Sequence, residues 1–99
     1  MGMFLVTRVP GRRWDDARSP RQQDGWDQHS AFMDSLVEDG FVVLGGPVGR
    51  GDRFVLAVDA NKEAEIADRL ADDPWEAAGL LRTGWIEPWA LWLDSRRSG

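Results

Sequence analysis

The fold is decided by residues 41–58, FVVLGGPVGRGDRFVLAV. Two runs rich in β-branched and aromatic residues, 41–44 and 54–58, flank a glycine-rich link. This composition is typical of two antiparallel strands joined by a hairpin. The link lacks the Lys-Ser/Thr ending of a phosphate-binding loop and precedes a strand rather than a helix. Because glycines let a ligand approach the backbone closely, we expect Gly46 and Pro47 to line a pocket.

Apolar residues recur at helical spacing on both sides of this hairpin. This spacing predicts a first amphipathic helix over residues 24–39, after which Gly40 supplies the left-handed stop. It predicts a second helix over residues 61–72, with an apolar stripe opposite acidic residues. Asp73 then precedes Pro74, which suits the first turn of a short helix that ends near Gly79.

The outer segments complete the pattern. Residues 3–9 predict a first strand, 10–23 a long polar loop that is a candidate lid, and 80–93 one or two strands interrupted at Pro88. The order strand, helix, strand, strand, helix, strand predicts an α+β, ferredoxin-like βαββαβ domain over residues 1–93. Such a domain has a four-stranded antiparallel sheet with two helices on one face. Residues 94–99 are expected to form a flexible tail.

Composition narrows the function classes. The chain has 99 residues, 42% of them hydrophobic, which is enough for one globular domain. The absence of cysteine excludes thiolate chemistry and fits a reducing compartment, and the N-terminus has no export leader, so we expect a cytoplasmic protein. A net charge of -5 argues against nucleic acid, and no apolar run is long enough to span a membrane.

One local basic cluster opposes this acidic balance. Arg8, Arg12, Arg13 and Trp14 lie close together, but two aspartates follow at once, so a solvated loop is favoured over a phosphate site. No metal is expected, because one histidine and scattered acids give no ligand cluster at recognised spacing.

The last predicted strand carries large apolar side chains on both sides. Strict alternation assigns them to two sets: Leu81, Trp85, Trp89, Leu91 and Leu93 on one face, and Ile86, Ala90 and Trp92 on the other. Two helices cover only one face of such a sheet, and a bare apolar face marks an interaction surface. We therefore expect a homodimer through the sheet faces, with assembly beyond the dimer left open. The enclosed space would hold a small molecule.

His29 is the only histidine, and it lies on the apolar stripe of the first helix. An inward imidazole is suited to proton transfer at neutral pH, although a hydrogen-bonded core histidine fits the same pattern. Asp73 has two interpretations as well. It caps the helix that starts at Pro74, with Glu76 three residues on as in a capping box, or it accepts a hydrogen bond from an imidazole and fixes its tautomer. One carboxylate can do both.

Several segments together resemble the YCII-related family of small dimeric α+β barrel proteins. They are WDQHSAFM at 26–33, VLGGP at 43–47, DPW at 73–75, AGL at 78–80 and EPW at 87–89. The resemblance spans residues 3–93 and implies a catalytic dyad at His29 and Asp73. One relative is associated with cofactor-free dehydrochlorination of a chlorinated hydroxyquinol. The long loop at 10–23 departs from the shortest members, which leaves the substrate open.

Three functions follow as hypotheses. The first is a cofactor-independent enzyme that uses His29 and Asp73 for acid/base elimination, isomerisation or hydrolysis of a small aromatic or carbonyl compound. The second is a non-catalytic small-molecule binding or sensor module, and the third is a purely structural dimerisation domain. The candidate ligand contacts are Arg8, Phe32, Gly46, Pro47 and Trp75.

Overall fold

The structure is a computed structural model that describes residues 2–96. Its elements, in chain order, are β1 (Gly2–Pro10), a 3₁₀ helix (Pro20–Gln22) within the predicted loop, α1 (Trp26–Glu38), β2 (Val42–Val48), β3 (Arg53–Ala60), α2 (Glu63–Leu70), α3 (Pro74–Ala77) and β4 (Leu81–Pro88). The strands form one sheet in the order β2-β3-β1-β4, and every neighbouring pair is antiparallel. The domain is therefore α+β, and this arrangement is compatible with a ferredoxin-like fold. Within residues 2–96, no helix has the length and apolarity to cross a membrane.

The main core lies between one face of the sheet and the two longer helices. Alternate residues of β1 point to this face, so Phe4 and Val6 are buried while their neighbours along the strand are only partly covered. The other buried members of this core are Leu36, Phe41, Val42, Leu56, Val58, Ala60, Ile66 and Leu70. Each large apolar side chain buried here contributes about 1.5–3 kcal/mol, so this layer holds α1 and α2 against the sheet.

The hairpin forms as expected, but its strands are longer than predicted. β2 continues through the two glycines and Pro47 to Val48, whereas the sequence suggested that these residues belong to the link. The physical reason is that β2 is an edge strand, where a proline need not donate to a neighbour. The turn itself is confined to residues 49–52, with positive φ angles at Gly49 and Gly51.

A β-bulge in β4 overturns the predicted division of its side chains. Thr7 pairs with Trp85 but Arg8 pairs with Thr83, so Gly84 is an extra residue that shifts the alternation. Leu81 is consequently buried on the helix side at 3% exposure, while Trp85 is 60% exposed on the opposite face. The prediction that both share one face was wrong.

The chain after Pro88 is not a strand. The predicted interruption at this proline is confirmed, but no second strand follows it within residues 89–96. Trp92 and Leu93 are 92% and 94% exposed. Of the predicted tail, residues 97–99 lie outside the described part of the chain, and in the remainder Asp94 accepts hydrogen bonds from the backbone and side chain of Arg96.

The sheet face opposite the helices carries apolar side chains. Leu44 pairs with Ala57, which in turn pairs with Leu5, so a row of aliphatic residues crosses β2, β3 and β1. Leu44 is 60% exposed, and Trp85 lies on the same face in β4. This surface is apolar, as the sequence predicted, although fewer residues of β4 contribute to it.

Two adjacent glycines in β2 give a matched test of the sheet geometry. A Cβ at residue 45 would lie 2.5 Å from Leu56 Cδ2 and 2.8 Å from the Val55 carbonyl oxygen, whereas one at residue 46 meets nothing within 4 Å. We expect Gly45→Ala to destabilise the fold by about 1–3 kcal/mol through overpacking. Gly46→Ala is expected to change stability by no more than about 0.5 kcal/mol. Urea unfolding of both variants measures this, and equal effects would contradict the register of β2 on β3.

Candidate active site

Asp73 lies at the turn between α2 and α3, and it is completely buried. Its Oδ1 accepts a hydrogen bond from the backbone N–H of Trp75 at 2.9 Å, and Pro74 occupies the first turn of α3. This confirms the predicted N-cap, in which a carboxylate satisfies a free donor at the helix start. The cap holds the carboxylate at the start of α3.

His29 lies in the first turn of α1 and meets the same carboxylate. Its Nδ1 is 2.9 Å from both Oδ1 and Oδ2 of Asp73, and 12% of its side chain is exposed. The ring stacks on Trp75, with ring centroids 3.8 Å apart and the planes 5° from parallel. An ionised carboxylate can only accept, so Nδ1 carries the proton and Nε2 is the nitrogen left to accept one.

Arg8 approaches Asp73 from β1. It follows Phe4 and Val6 on the helix-facing side of the strand, and only 1% of it is exposed. Its Nη1 donates to Asp73 Oδ2 at 2.7 Å, and its Nη2 donates to Glu76 Oε2 at 2.8 Å. A buried arginine is stable only when its charge is compensated, and here two carboxylates compensate it.

The solvated-loop interpretation of the basic cluster is therefore wrong for two of its members. Arg8 is in the core, and Trp14 packs edge-on against Trp75 with ring centroids 5.5 Å apart. Arg12 and Arg13 are exposed, as that interpretation requires.

The buried setting changes the acidity of Asp73. Burial by itself raises the pKa of this carboxyl, but hydrogen bonds from His29, Arg8 and the Trp75 backbone lower it by more. The net result is a pKa below the usual value of 3.8. The carboxylate is therefore ionised at neutral pH and can balance a positive charge on the imidazole.

A cavity of about 600 Å³ opens beside His29. Its walls come from all four strands, from α1 and α3 and from the segment before α1, and most of them are apolar. The apolar lining side chains are Pro20, Trp26, Met33, Val37, Val42, Pro47, Phe54, Leu56, Trp75 and Leu81. The polar residues in the lining are Arg8, Ser19, Arg21, His29, Ser30 and Asp34.

The structure brings most of the predicted ligand contacts to this cavity. Gly46, Pro47 and Trp75 line it, and Arg8 borders it. Phe32 is not among the lining residues of this cavity and packs against the main core instead. The reason is helical spacing: Met33, one residue on, takes the cavity side of α1.

The long loop before α1 closes one side of the cavity. Gln23 is 3% exposed, and its side-chain amide donates to the backbone oxygens of Asp15 and Arg18. Ser19 and Arg21 then reach the cavity wall, where the Arg21 guanidinium lies 5.8 Å from the centroid of the Trp26 ring. The predicted lid position is thus occupied by a segment with its own internal hydrogen bonds.

Sequence reasoning missed the role of Glu76. It was expected to complete a capping box with Asp73, but its carboxylate bonds Arg8. A signal for this was present in β1, because strict alternation places Arg8 on the same face as Val6. A charged residue at such a position requires carboxylates nearby.

Neither a metal cluster within the described residues nor a known relative assigns a function to this site. Among the residues that the structure describes, no group of three or more His, Cys, Asp or Glu side chains is placed to hold a metal ion. No protein-family model matches the chain, and a search of curated proteins finds no significant match. The resemblance to the YCII-related family therefore stays a prediction.

The lowered pKa of Asp73 has a consequence for stability. Because the folded pKa lies below 3.8, the carboxylate stabilises the fold above that pH, and this contribution is lost as the pH falls through the folded pKa. Asp73→Asn keeps the cap but removes the fully buried one of the two carboxylates that compensate Arg8, so we expect a loss of about 3–5 kcal/mol at neutral pH. Because the variant has no carboxyl at this position, its free energy of unfolding should fall less than that of the parent as the pH is lowered.

Asp72→Asn is the matched control, because its exposed side chain is the immediate neighbour. It should change stability by no more than about 0.5 kcal/mol. Urea unfolding of the parent and the two variants from about pH 2 to about pH 7 measures the stability difference at neutral pH and its dependence on pH. Equal stability of Asp73→Asn and the parent at neutral pH would contradict the buried ion pair.

Proposed function

We propose that the chain is a cofactor-independent acid/base enzyme that uses His29 as its general base on a small molecule. One observation carries the proposal. The only histidine places Nδ1 2.9 Å from both oxygens of a fully buried carboxylate, and the ring lines a cavity of about 600 Å³. A base that is oriented by a carboxylate and borders a cavity is the arrangement that proton abstraction needs.

The chemistry follows from the tautomer. Nε2 takes a proton from the ligand, and the resulting imidazolium is stabilised by Asp73, which stays ionised. Trp75 stacks under the ring and limits its rotation, so the base keeps one orientation. Elimination and isomerisation begin with this step on the ligand, whereas in hydrolysis the same nitrogen would take its proton from the attacking water.

We also propose membership of the YCII-related family and a ferredoxin-like dimer. The order of the elements, the His29–Asp73 contact and the apolar sheet face support this assignment. A second copy that covers Leu44 and Trp85 would remove two large exposed apolar side chains from water.

A non-catalytic binding module is the second candidate. The observation that favours it is the double duty of Asp73, which caps α3 while it holds His29 and Arg8. A contact with this structural role ties α1, α3 and β1 together whether or not a proton moves. Binding with no proton transfer would support this candidate.

Deuterium exchange separates the two functions. A panel of aryl ketones with acidic α C–H groups is first screened by thermal shift against the parent and His29→Ala. A ketone that stabilises only the parent is then incubated in deuterium oxide and followed by proton NMR. For an enzyme, we expect exchange at the α carbon about 10²–10⁴-fold faster than in buffer, and loss of this acceleration in His29→Ala.

Gln28→Ala is the control, because Gln28 is the exposed neighbour on the same helix. It should exchange as fast as the parent. A ketone that binds the parent but exchanges no faster than in buffer would reject the catalytic proposal and favour the binding module.

The dimer is tested independently by light scattering. We expect a species of twice the chain mass at micromolar concentration. Trp85→Arg should shift it toward the monomer, because the charge would be buried without a partner. Ala67→Arg adds the same charge on the exposed side of α2 and should leave the mass unchanged. A parent protein that is monomeric at this concentration would refute the covered sheet face.

A further inference from the structure

We infer that the cavity selects a neutral, largely apolar molecule with one weakly acidic proton, and that it rejects carboxylates and phosphates. This inference rests on the proposed role of His29 as a base and names the class of its substrate. The charges around the cavity, and which of them a ligand can reach, support this selectivity.

The site carries an excess negative charge before any ligand arrives. Asp73 and Glu76 each contribute one negative charge, Arg8 contributes one positive charge, and the imidazole of His29 is neutral in the tautomer that accepts a proton. The sum is one negative charge next to a mostly apolar cavity. A ligand that is already an anion would bring a second negative charge into this environment.

Arg8 does not offer an anion a binding site. Its Nη1 and Nη2 are bonded to carboxylates, its Nε is buried without a hydrogen-bond partner, and only 1% of the residue is exposed. Its positive charge is thus compensated inside the protein. Arg8 is a positioning residue for Asp73 rather than a receptor for a ligand carboxylate.

The two other charged residues in the lining carry opposite charges, which sum to zero. Arg21 and Asp34 are both exposed and contribute opposite charges. The remaining walls are chiefly aliphatic and aromatic, which favours a ligand without charge. Moving an anion from water to such walls is strongly unfavourable, and the exposed guanidinium of Arg21, which solvent screens, offsets little of that cost.

The proton balance agrees with a neutral ligand. The X–H bond of the ligand breaks, its electron pair stays on the ligand, and the proton forms a new bond to His29 Nε2. The site then becomes neutral while the ligand takes the negative charge, so the total charge in and around the cavity stays the same. An anionic ligand would keep the total at two negative charges throughout.

Phenol and benzoate form a suitable pair of probes, since they are similar in size and differ in charge at neutral pH. His29 is the only histidine in the sequence, so its ring resonances in the NMR spectrum of a tag-free protein are assigned without ambiguity. We expect phenol to shift these resonances saturably and benzoate to bind at least about tenfold more weakly. Benzoate binding as tightly as phenol, or no binding of phenol, would overturn the inference.

Glu76→Gln tests the charge argument directly. Removing one negative charge should lower the phenol-to-benzoate affinity ratio about tenfold. Glu63→Gln removes the same charge from an exposed position on α2 and should leave the ratio unchanged. If Glu76→Gln does not fold, the comparison of the two probes on the parent protein still decides the inference.

The outcomes also separate this inference from the proposed function. Fast deuterium exchange together with tight benzoate binding would reject the neutral-ligand class and leave the general base in place. A clear preference for phenol without any exchange would support the ligand class and reject the catalytic role.

Discussion

The fold and the candidate site depend on one constraint, which is that the fully buried carboxylate of Asp73 must be satisfied. Three donors meet it: the Trp75 backbone of α3, the Arg8 guanidinium of β1 and the His29 ring of α1. Each donor comes from a different element, so the carboxylate fixes their relative positions. A charge in this place costs desolvation, and the hydrogen bonds offset that cost only in this geometry. The same contacts that complete the core therefore orient the candidate base.

Much of this arrangement could be predicted from local sequence. Gly40 ends α1 with a positive φ angle of 77°, as expected for a left-handed stop. The Asp73–Pro74 pair predicted the cap of α3, because both residues act within one helical turn. His29 was placed on the inner stripe of α1 by periodicity alone. These features depend on neighbours in the sequence, which is why a single sequence contains enough information to find them.

The features that sequence reasoning missed depend on long-range pairing. The bulge at Gly84 exists only relative to β1, and it decides that Leu81 is buried while Trp85 is exposed. The ion pair between Arg8 and Glu76 joins residues 68 positions apart. A capping box was the nearest local partner for Glu76, and the tertiary contact replaced it. Rules that use only neighbouring residues cannot predict such contacts, because the residue that makes the contact lies far away in the sequence.

The buried arginine also decides where the proton resides. A histidine and a carboxylate that share a proton in an apolar setting could settle as a neutral acid beside a neutral imidazole, since burial favours uncharged groups. The hydrogen bonds from His29 and Arg8 oppose this, because together they hold the pKa of the Asp73 carboxyl below its usual value. Asp73 therefore stays ionised, and His29 is the member of the pair that borders the cavity. Arg8 thus makes the imidazole, rather than the carboxylate, the group that can exchange a proton with a ligand.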